Sequence, residues 1–206
     1  MLQIKVFLLV LIAMASHAYA NNPTKNILVF GDSLSAGYGI KVEQGWAALL
    51  QNHLAKGSNW RFINASVSGE TSSGGVTRLP ALLSEYKPNI VILELGANDG
   101  LRGQPLTLLK QNLQTMIDAS TKVGAKVVLV GMRIPTNYGP RYTREFFEIY
   151  SNLAEKNNLS LVPFLLEGVA THTELFQNDG LHPNAEAQPL IARNVSAILM
   201  PMLAEK

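Results

Sequence analysis

The sequence lacks cysteine altogether across its 206 residues. A chain without cysteine forms no disulfide, holds no metal through thiolates and offers no N-terminal cysteine to a lipid anchor. The folded core therefore has to supply the stability of the protein alone, even where the surroundings are oxidising.

Charge is scarce as well. Lys and Arg number 17 and Asp and Glu number 15, which leaves a net charge of +2. The basic residues are scattered along the chain, so the sequence lacks the basic patch of a nucleic-acid-binding protein. Charged residues make up 16% and apolar residues 47%, a composition typical of a globular protein, and the length fits one domain.

The apolar run at the N-terminus is too short to span a membrane. Lys5 is the only charge ahead of residues 6–15, which are apolar, and Ala18 and Ala20 occupy the two small-residue positions of an A-x-A cleavage site. As a helix this run rises about 15 Å, whereas the hydrocarbon core of a bilayer is about 30 Å thick. The pattern predicts a signal peptide over residues 1–20, cleaved after Ala20, and a periplasmic or secreted protein with one domain over residues 21–206.

Apolar runs alternate with amphipathic segments along the mature chain. The predicted strands are residues 27–30, 60–63, 90–95, 126–130 and 159–164. The predicted helices are residues 45–56, 80–86, 106–123, 141–157 and 185–203. This alternation predicts an α/β fold, a three-layer α/β/α sandwich around a parallel five-stranded sheet with right-handed crossovers. In such a sheet, ligands bind beyond the carboxyl ends of the strands, which points to loops 31–39, 64–75, 96–103 and 131–140.

A serine follows the first predicted strand directly. Ser33 lies in the segment GDSLS, residues 31–35. A serine at this position can project from the top of the sheet, and Gly31 lets the backbone turn tightly before it. Serine is also a common helix N-cap, so from this segment alone Ser33 is either a nucleophile or a cap.

Two later loops carry neutral hydrogen-bond donors. Gly69 follows the second predicted strand, and Asn98 follows the third. A backbone N–H and a side-chain amide aimed at one point suit an oxyanion that forms only in a transition state. Taken singly, Gly69 is equally a turn glycine, and Asn98 is equally a turn residue or a helix cap.

A histidine with a nearby aspartate precedes the last predicted helix. A serine hydroxyl needs a base within hydrogen-bond reach, and a histidine suits that role at neutral pH. Asp179, three residues before His182 in a loop that contains Gly180, can fold back to hold the ring. An exposed turn histidine is the alternative.

Other catalytic patterns are missing from the sequence. It contains no G-x-S-x-G, no P-loop, no dinucleotide fingerprint and no HExxH. We interpret Asp32 and Asp99, which adjoin the candidate residues, as carboxylates that order loops.

Together, the four segments around Ser33, Gly69, Asn98 and His182 resemble, in order, the signature blocks of the GDSL or SGNH hydrolase superfamily. Residues 31–39, 78–83, 94–103, 137–139 and 182–184 look most like its periplasmic thioesterase I / protease I / lysophospholipase L1 branch, often called arylesterase. The resemblance implies a flavodoxin-like domain that hydrolyses acyl thioesters, aryl and alkyl esters and lysophospholipids without a cofactor or metal.

The expected mechanism is acyl transfer through a triad. Ser33 is the expected nucleophile, His182 the base and Asp179 the residue that holds the base. The N–H groups of Ser33 and Gly69 and the side chain of Asn98 form the expected oxyanion hole.

The expected partner is a small acyl ester or thioester, with lysophospholipid among the candidates. Leu101, Ile134 and Tyr138 are expected to line an acyl groove, as the resemblance suggests, although ordinary loop packing also accounts for them. We expect a monomer with no nucleic-acid partner and no stable membrane span. Two rivals stay open: a carbohydrate O-acetyl esterase of the same superfamily, and a non-catalytic binding protein that kept the fold.

Overall fold

A computed structural model describes residues 24–54 and 58–204 of the protein. The predicted signal peptide lies outside the described residues. The strands are β1 (Lys25–Gly31), β2 (Trp60–Asn64), β3 (Ile90–Glu94), β4 (Lys126–Val130) and β5 (Ser160–Val162). The helices are α1 (Ser33–Ala36), α2 (Trp46–Leu54), α3 (Ser72–Tyr86), α4 (Ala97–Leu101), α5 (Leu106–Lys122), α6 (Pro140–Asn157) and α7 (Gln188–Ala204).

The five strands form one parallel sheet in the order β2-β1-β3-β4-β5. The central strands β1 and β3 pair Val29 with Ile92 and Gly31 with Glu94. Every residue of β3 is buried, as a continuous apolar run predicts for a parallel strand that is covered on both faces. The predicted sheet is confirmed.

The helices cover both faces of the sheet. The chain moves from β1 to β2 in one direction and then from β2 past β1 to β3 in the other, so right-handed crossovers place α2 on one face and α3, α5 and α6 on the opposite face. The packing agrees, because α2 contacts α7, whereas α3 and α6 both contact α5. Helix α5 buries one face against the sheet, formed by Leu109, Leu113, Met116 and Ile117.

The predicted start of helix α3 and the predicted end of strand β5 were wrong. Helix α3 begins at Ser72, not at residue 80, and runs through Pro80. Gly74 and Gly75 lie inside this helix, and position 75 has no room for a side chain, which would collide with Leu95 and Met116. Strand β5 ends at Val162 because Pro163, which has no N–H, cannot continue the hydrogen-bonded ladder.

Within residues 24–54 and 58–204, no helix is both long enough and apolar enough to cross a membrane.

Candidate active site

The candidate residues meet at the carboxyl ends of β1 and β3, where the strand order reverses direction. In doubly wound sheets a crevice opens at this point. Here the crevice is a cavity of about 310 Å³ whose walls include Ser33, Gly69, Asn98 and His182. Four segments that are far apart in the sequence therefore share one cavity.

The turn after β1 is capped by Asp32. Its Oδ1 accepts the N–H of Leu34 at 3.0 Å, so Asp32 is the N-cap of α1 and Ser33 is the first residue of that helix. Gly37 ends the helix in the left-handed conformation, with φ of 73°. Because Asp32 takes the capping role, the hydroxyl of Ser33 does not cap the helix and instead faces the cavity.

A serine, a histidine and an aspartate form a continuous hydrogen-bonded chain. Ser33 Oγ lies 2.9 Å from His182 Nε2, and His182 Nδ1 lies 2.7 Å from Asp179 Oδ2. Since a carboxylate only accepts, the Nδ1 proton belongs to the bond with Asp179, which leaves Nε2 free to accept the serine O–H. The ring is thereby set in the tautomer that a general base requires.

The loop around His182 also fixes the carboxylate of Asp179. Asp179 Oδ1 accepts the backbone N–H groups of His182 and Leu181, each at 2.9 Å. The N–H of His182, its ring and the N–H of Leu181 together lower the pKa of Asp179 from 3.8 to about 2. Asp179 is therefore ionised at neutral pH, although 41% of its side chain is exposed.

Asp32 has the opposite environment. It is only 1% exposed, and burial raises the pKa of its carboxyl, although the Leu34 N–H, His182 and Asn98 act in the lowering direction. Its place at the cap and not beside the imidazole agrees with our interpretation of Asp32 as a loop-ordering residue. Asp99 has a similar position, since it accepts both the N–H and the hydroxyl of Ser72.

Three neutral donors border the same cavity. Among the described residues, the N–H groups of Ser33 and Gly69 donate to no other group. Gly69 has a φ of 79°, which favours glycine, and its Cα faces open space. The Nδ2 of Asn98 donates to the carbonyl of Glu70 at 3.0 Å and to Asp32 Oδ2 at 3.2 Å. The amide of Asn98 is thus held in place by two acceptors.

The walls of the cavity are largely apolar. Leu101 and Ile134 lie on them, and so do Met132 and Leu166, which sequence reasoning missed. Met132 lies just after β4 and Leu166 just after β5, so their positions at strand ends were the available signal. Tyr138 is not among the lining residues, because its hydroxyl donates to the carbonyl of Leu101 at 2.8 Å and so braces the wall from outside.

Gln177 joins the two loops that carry the serine and the histidine. Its Nε2 donates to the carbonyl of Tyr38 at 2.7 Å and to that of Pro183 at 3.1 Å, and its N–H donates to the carbonyl of His182 at 2.8 Å. The ring of Tyr38 in turn lies 4.5 Å from the ring of His182, centroid to centroid. No sequence pattern pointed to Gln177.

The fold and the site together define a serine hydrolase: a three-layer α/β/α domain with a serine, an imidazole and a carboxylate in hydrogen-bonded order beside free N–H donors. The chain belongs to the GDSL-like lipase/acylhydrolase family, whose model matches residues 29–189. The predicted family is confirmed, and with it the predicted class of enzyme.

Named relatives cover most of the chain. The protein is 49% identical to the esterase TesA of Pseudomonas aeruginosa over 180 residues, which span 87% of this chain and 90% of that protein. It is 46% identical to an arylesterase of Vibrio mimicus over 89% of this chain and 92% of the relative. It is 41% identical to thioesterase 1/protease 1/lysophospholipase L1 of Escherichia coli over 86% of this chain and 84% of the relative.

Solved structures agree with the fold. A crystal structure of TesA, 49% identical, superposes with a TM-score of 0.84 over 86% of this chain and 99% of that one. A crystal structure of the psychrotrophic esterase EstA from Pseudoalteromonas sp., 43% identical and inhibited by monoethylphosphonate, gives a TM-score of 0.83 over 88% of this chain and 100% of that one.

Proposed function

We propose that the protein hydrolyses acyl esters and acyl thioesters through a covalent acyl intermediate on Ser33. The observation that carries this proposal is the chain of hydrogen bonds from Ser33 Oγ through His182 to Asp179, at 2.9 and 2.7 Å. Relatives that are named esterase, arylesterase and thioesterase support the same chemistry.

The first step forms the acyl intermediate. His182 Nε2 takes the hydroxyl proton as Ser33 Oγ attacks the acyl carbonyl, and Asp179 stabilises the resulting imidazolium. His182 then gives the proton to the leaving alkoxide or thiolate. In the second step water attacks the acyl group, His182 takes its proton, and Ser33 leaves with that proton restored.

The oxyanion of each tetrahedral intermediate accepts hydrogen bonds from the N–H groups of Ser33 and Gly69 and from Asn98. Neutral donors suit this role because they stabilise charge that exists only in the transition state. Asn98 Nδ2 has two hydrogens and two acceptors in the free protein. The oxyanion shares or displaces the longer of these two hydrogen bonds, which runs from Asn98 Nδ2 to the carboxylate of Asp32.

The acyl chain of the substrate lies along the apolar wall formed by Leu101, Met132, Ile134 and Leu166. Each methylene buried there stabilises the complex by about 0.8 kcal/mol, so the wall favours a chain longer than acetyl. Aryl esters, acyl-CoA-type thioesters and lysophospholipids are therefore the candidate substrates. A wall that favours long acyl chains also argues against a carbohydrate O-acetyl esterase, whose acyl group is only acetyl.

We further propose that the mature enzyme is a monomer formed by residues 21–206, exported to the periplasm or the medium. The sequence supports export and cleavage, because the apolar run at residues 6–15 is followed by Ala18 and Ala20 at the positions that a signal peptidase requires.

An acyl-chain series tests the proposed function. Purified mature protein is assayed with acetyl, octanoyl and palmitoyl esters of one chromogenic alcohol and with a matching octanoyl thioester. We expect octanoyl to be hydrolysed faster than acetyl, thioester hydrolysis to be measurable, and Ser33→Ala to abolish both. A steep preference for acetyl would favour the carbohydrate esterase, and full activity of Ser33→Ala would overturn the mechanism.

A further inference from the structure

A buried glutamate lies directly beneath the nucleophile turn, and no step of the proposed mechanism uses it. Glu94 is the last residue of β3, is 0% exposed, and pairs with Gly31 at the end of β1. Burying a carboxyl group is unfavourable unless its polar atoms are satisfied. Its presence below Ser33 therefore calls for an explanation.

The carboxyl group of Glu94 contacts both sides of Ser33. Its Oε2 accepts the hydroxyl of Ser35 at 2.7 Å and the backbone N–H of Asp32 at 3.2 Å. Asp32 immediately precedes Ser33, and Ser35 lies one position beyond Leu34 in α1. One oxygen atom of Glu94 thus joins the residue before the nucleophile to the helix that follows it.

The glycine of the turn makes room for this contact. A side chain at Gly31 would collide with Glu94 Oε2 and with Ser35 Oγ. Gly31 has no side chain, so the carboxyl group reaches across β1 and enters the turn. Gly31, Ser35 and Glu94 therefore form one packed unit, although Glu94 lies 59 residues from Ser35 in the sequence.

The environment of Glu94 favours the neutral acid. Burial raises the pKa of Glu94 well above its usual range, and the charge of Asp32 acts in the same direction. The second oxygen, Oε1, has no hydrogen-bond partner among the described residues, which is a poor setting for a carboxylate. Both bonds to the nucleophile turn therefore converge on Oε2.

We propose that Glu94 is a positioning residue for the nucleophile, which sets the direction of the Ser33 hydroxyl by holding the Asp32 N–H and the Ser35 hydroxyl from below. The inference rests on the proposed role of Ser33. Glu94 touches neither substrate nor the imidazole, so it acts only through the geometry of the turn.

Three variants test the role of Glu94. Glu94→Gln keeps an accepting carbonyl oxygen and a neutral side chain, Glu94→Met keeps the size but removes the acceptor, and Ser35→Ala removes one donor. The kcat and KM of ester hydrolysis and the melting temperature are measured for each variant. Loss of alignment by about 1 Å lowers rates by about 100-fold, whereas a missing neutral hydrogen bond changes an equilibrium about fivefold.

We expect kcat to fall about 10- to 100-fold in Glu94→Met with KM changed less than about twofold, because binding groups are untouched while attack is misaligned. We expect Glu94→Gln to restore kcat to within about threefold of the wild type and Ser35→Ala to lower it about fivefold. A purely structural role would lower the melting temperature and the active fraction and leave kcat per folded molecule unchanged.

Several outcomes would overturn the inference. A wild-type kcat in folded Glu94→Met would overturn it. A loss of kcat in Glu94→Gln as large as that in Glu94→Met would also overturn it, since glutamine keeps the acceptor. If Glu94→Met does not fold, an unchanged kcat in Ser35→Ala is decisive against it. The Ser33→Ala variant distinguishes failure of the proposed function from failure of the role of Glu94. Activity in Ser33→Ala would contradict the proposed function. An inactive Ser33→Ala together with a fully active Glu94→Met would contradict the role of Glu94 alone.

Discussion

At the scale of single residues, the local environment distinguishes the roles of the aspartates that lie close to the candidate catalytic residues in the sequence. Asp179 is partly exposed and accepts two backbone N–H groups beside His182, whereas Asp32 is buried and caps α1. Hydrogen bonds favour the charged form of Asp179, and desolvation disfavours that of Asp32. Asp179 is accordingly the carboxylate suited to stabilise an imidazolium.

The depressed pKa of Asp179 predicts a specific pH dependence of stability. Its pKa is about 2 in the folded protein against an ordinary 3.8. The unfolded chain therefore takes up a proton first, so Asp179 stabilises the fold above about pH 4, and this contribution is lost as the pH falls through about 2.

We expect the difference in unfolding free energy between the wild type and Asp179→Asn, measured in urea, to shrink as the pH is lowered from 5 to 2. A difference that stays constant over this range would contradict the assigned hydrogen bonds.

Asn98 gives a second prediction at this scale. Loss of one oxyanion donor typically lowers kcat by about 10²–10³-fold, so we expect Asn98→Ala to fall in that range with a smaller change in KM. Asn157 is a matched control, because its amide bonds to Gln114 and Leu153 on the helical layer away from the cavity. Equal kcat values for Asn98→Ala and Asn157→Ala would show that Asn98 is not a donor to the oxyanion.

At the scale of elements, loops that follow different strands have to be held together. Gln177 does this by donating to Tyr38 in one loop and to Pro183 in the other. Tyr38 follows α1 and Pro183 follows the histidine, so the bridge links the segments that carry Ser33 and His182.

We expect Gln177→Ala to lower kcat about tenfold, and Gln177→Glu to lower it further because a carboxylate would face two carbonyl oxygens. Melting temperature and kcat are measured together. Gln114→Ala is the matched control, since Gln114 bonds to Asp118, Lys156 and Asn157 outside the site. A Gln177→Ala enzyme with unchanged kcat would show that the bridge does not position the catalytic loops.

Most elements could be predicted because apolar runs and helical spacing are local signals. Ile27 and Ile92 lie in continuous apolar runs, and Leu113 lies at helical spacing from its apolar neighbours, so the burial of all three could be predicted. The start of α3 was missed because Gly74 and Gly75 disfavour a helix locally, and the close packing of Leu95 and Met116 that requires a glycine at position 75 involves residues distant in sequence. Tertiary packing overrides local preference at such positions.

The residues of the candidate site were likewise predicted only in part. Ser33, Gly69, Asn98, Asp179 and His182 were singled out because they follow strands or precede the last helix in recognisable segments. Gln177 and Glu94 were missed as functional candidates, because their importance lies in contacts across 139 and 59 residues of sequence. Residues that position catalysts carry no local signature of that role.

At the scale of the whole molecule, a chain without cysteine brings Ser33, Gly69, Asn98 and His182 to one cavity. Export is the whole-molecule property that the sequence predicts. When the full chain is expressed with its own N-terminus, we expect the exported protein to begin at Asn21, as determined by intact mass. Ala18→Leu should block cleavage because a signal peptidase requires a small residue there. An exported protein that retains residues 1–20 would contradict this assignment.

The central claim is that Ser33 is an activated nucleophile, and covalent labelling by a fluorophosphonate tests it most directly. Such a probe reacts with a serine only where a base and oxyanion donors are in place. We predict one adduct per folded chain, located by peptide mapping on Ser33, lost in Ser33→Ala and retained in Ser73→Ala, which changes an exposed serine of α3. The absence of an adduct on folded wild-type protein, or an adduct on another residue, would contradict the account.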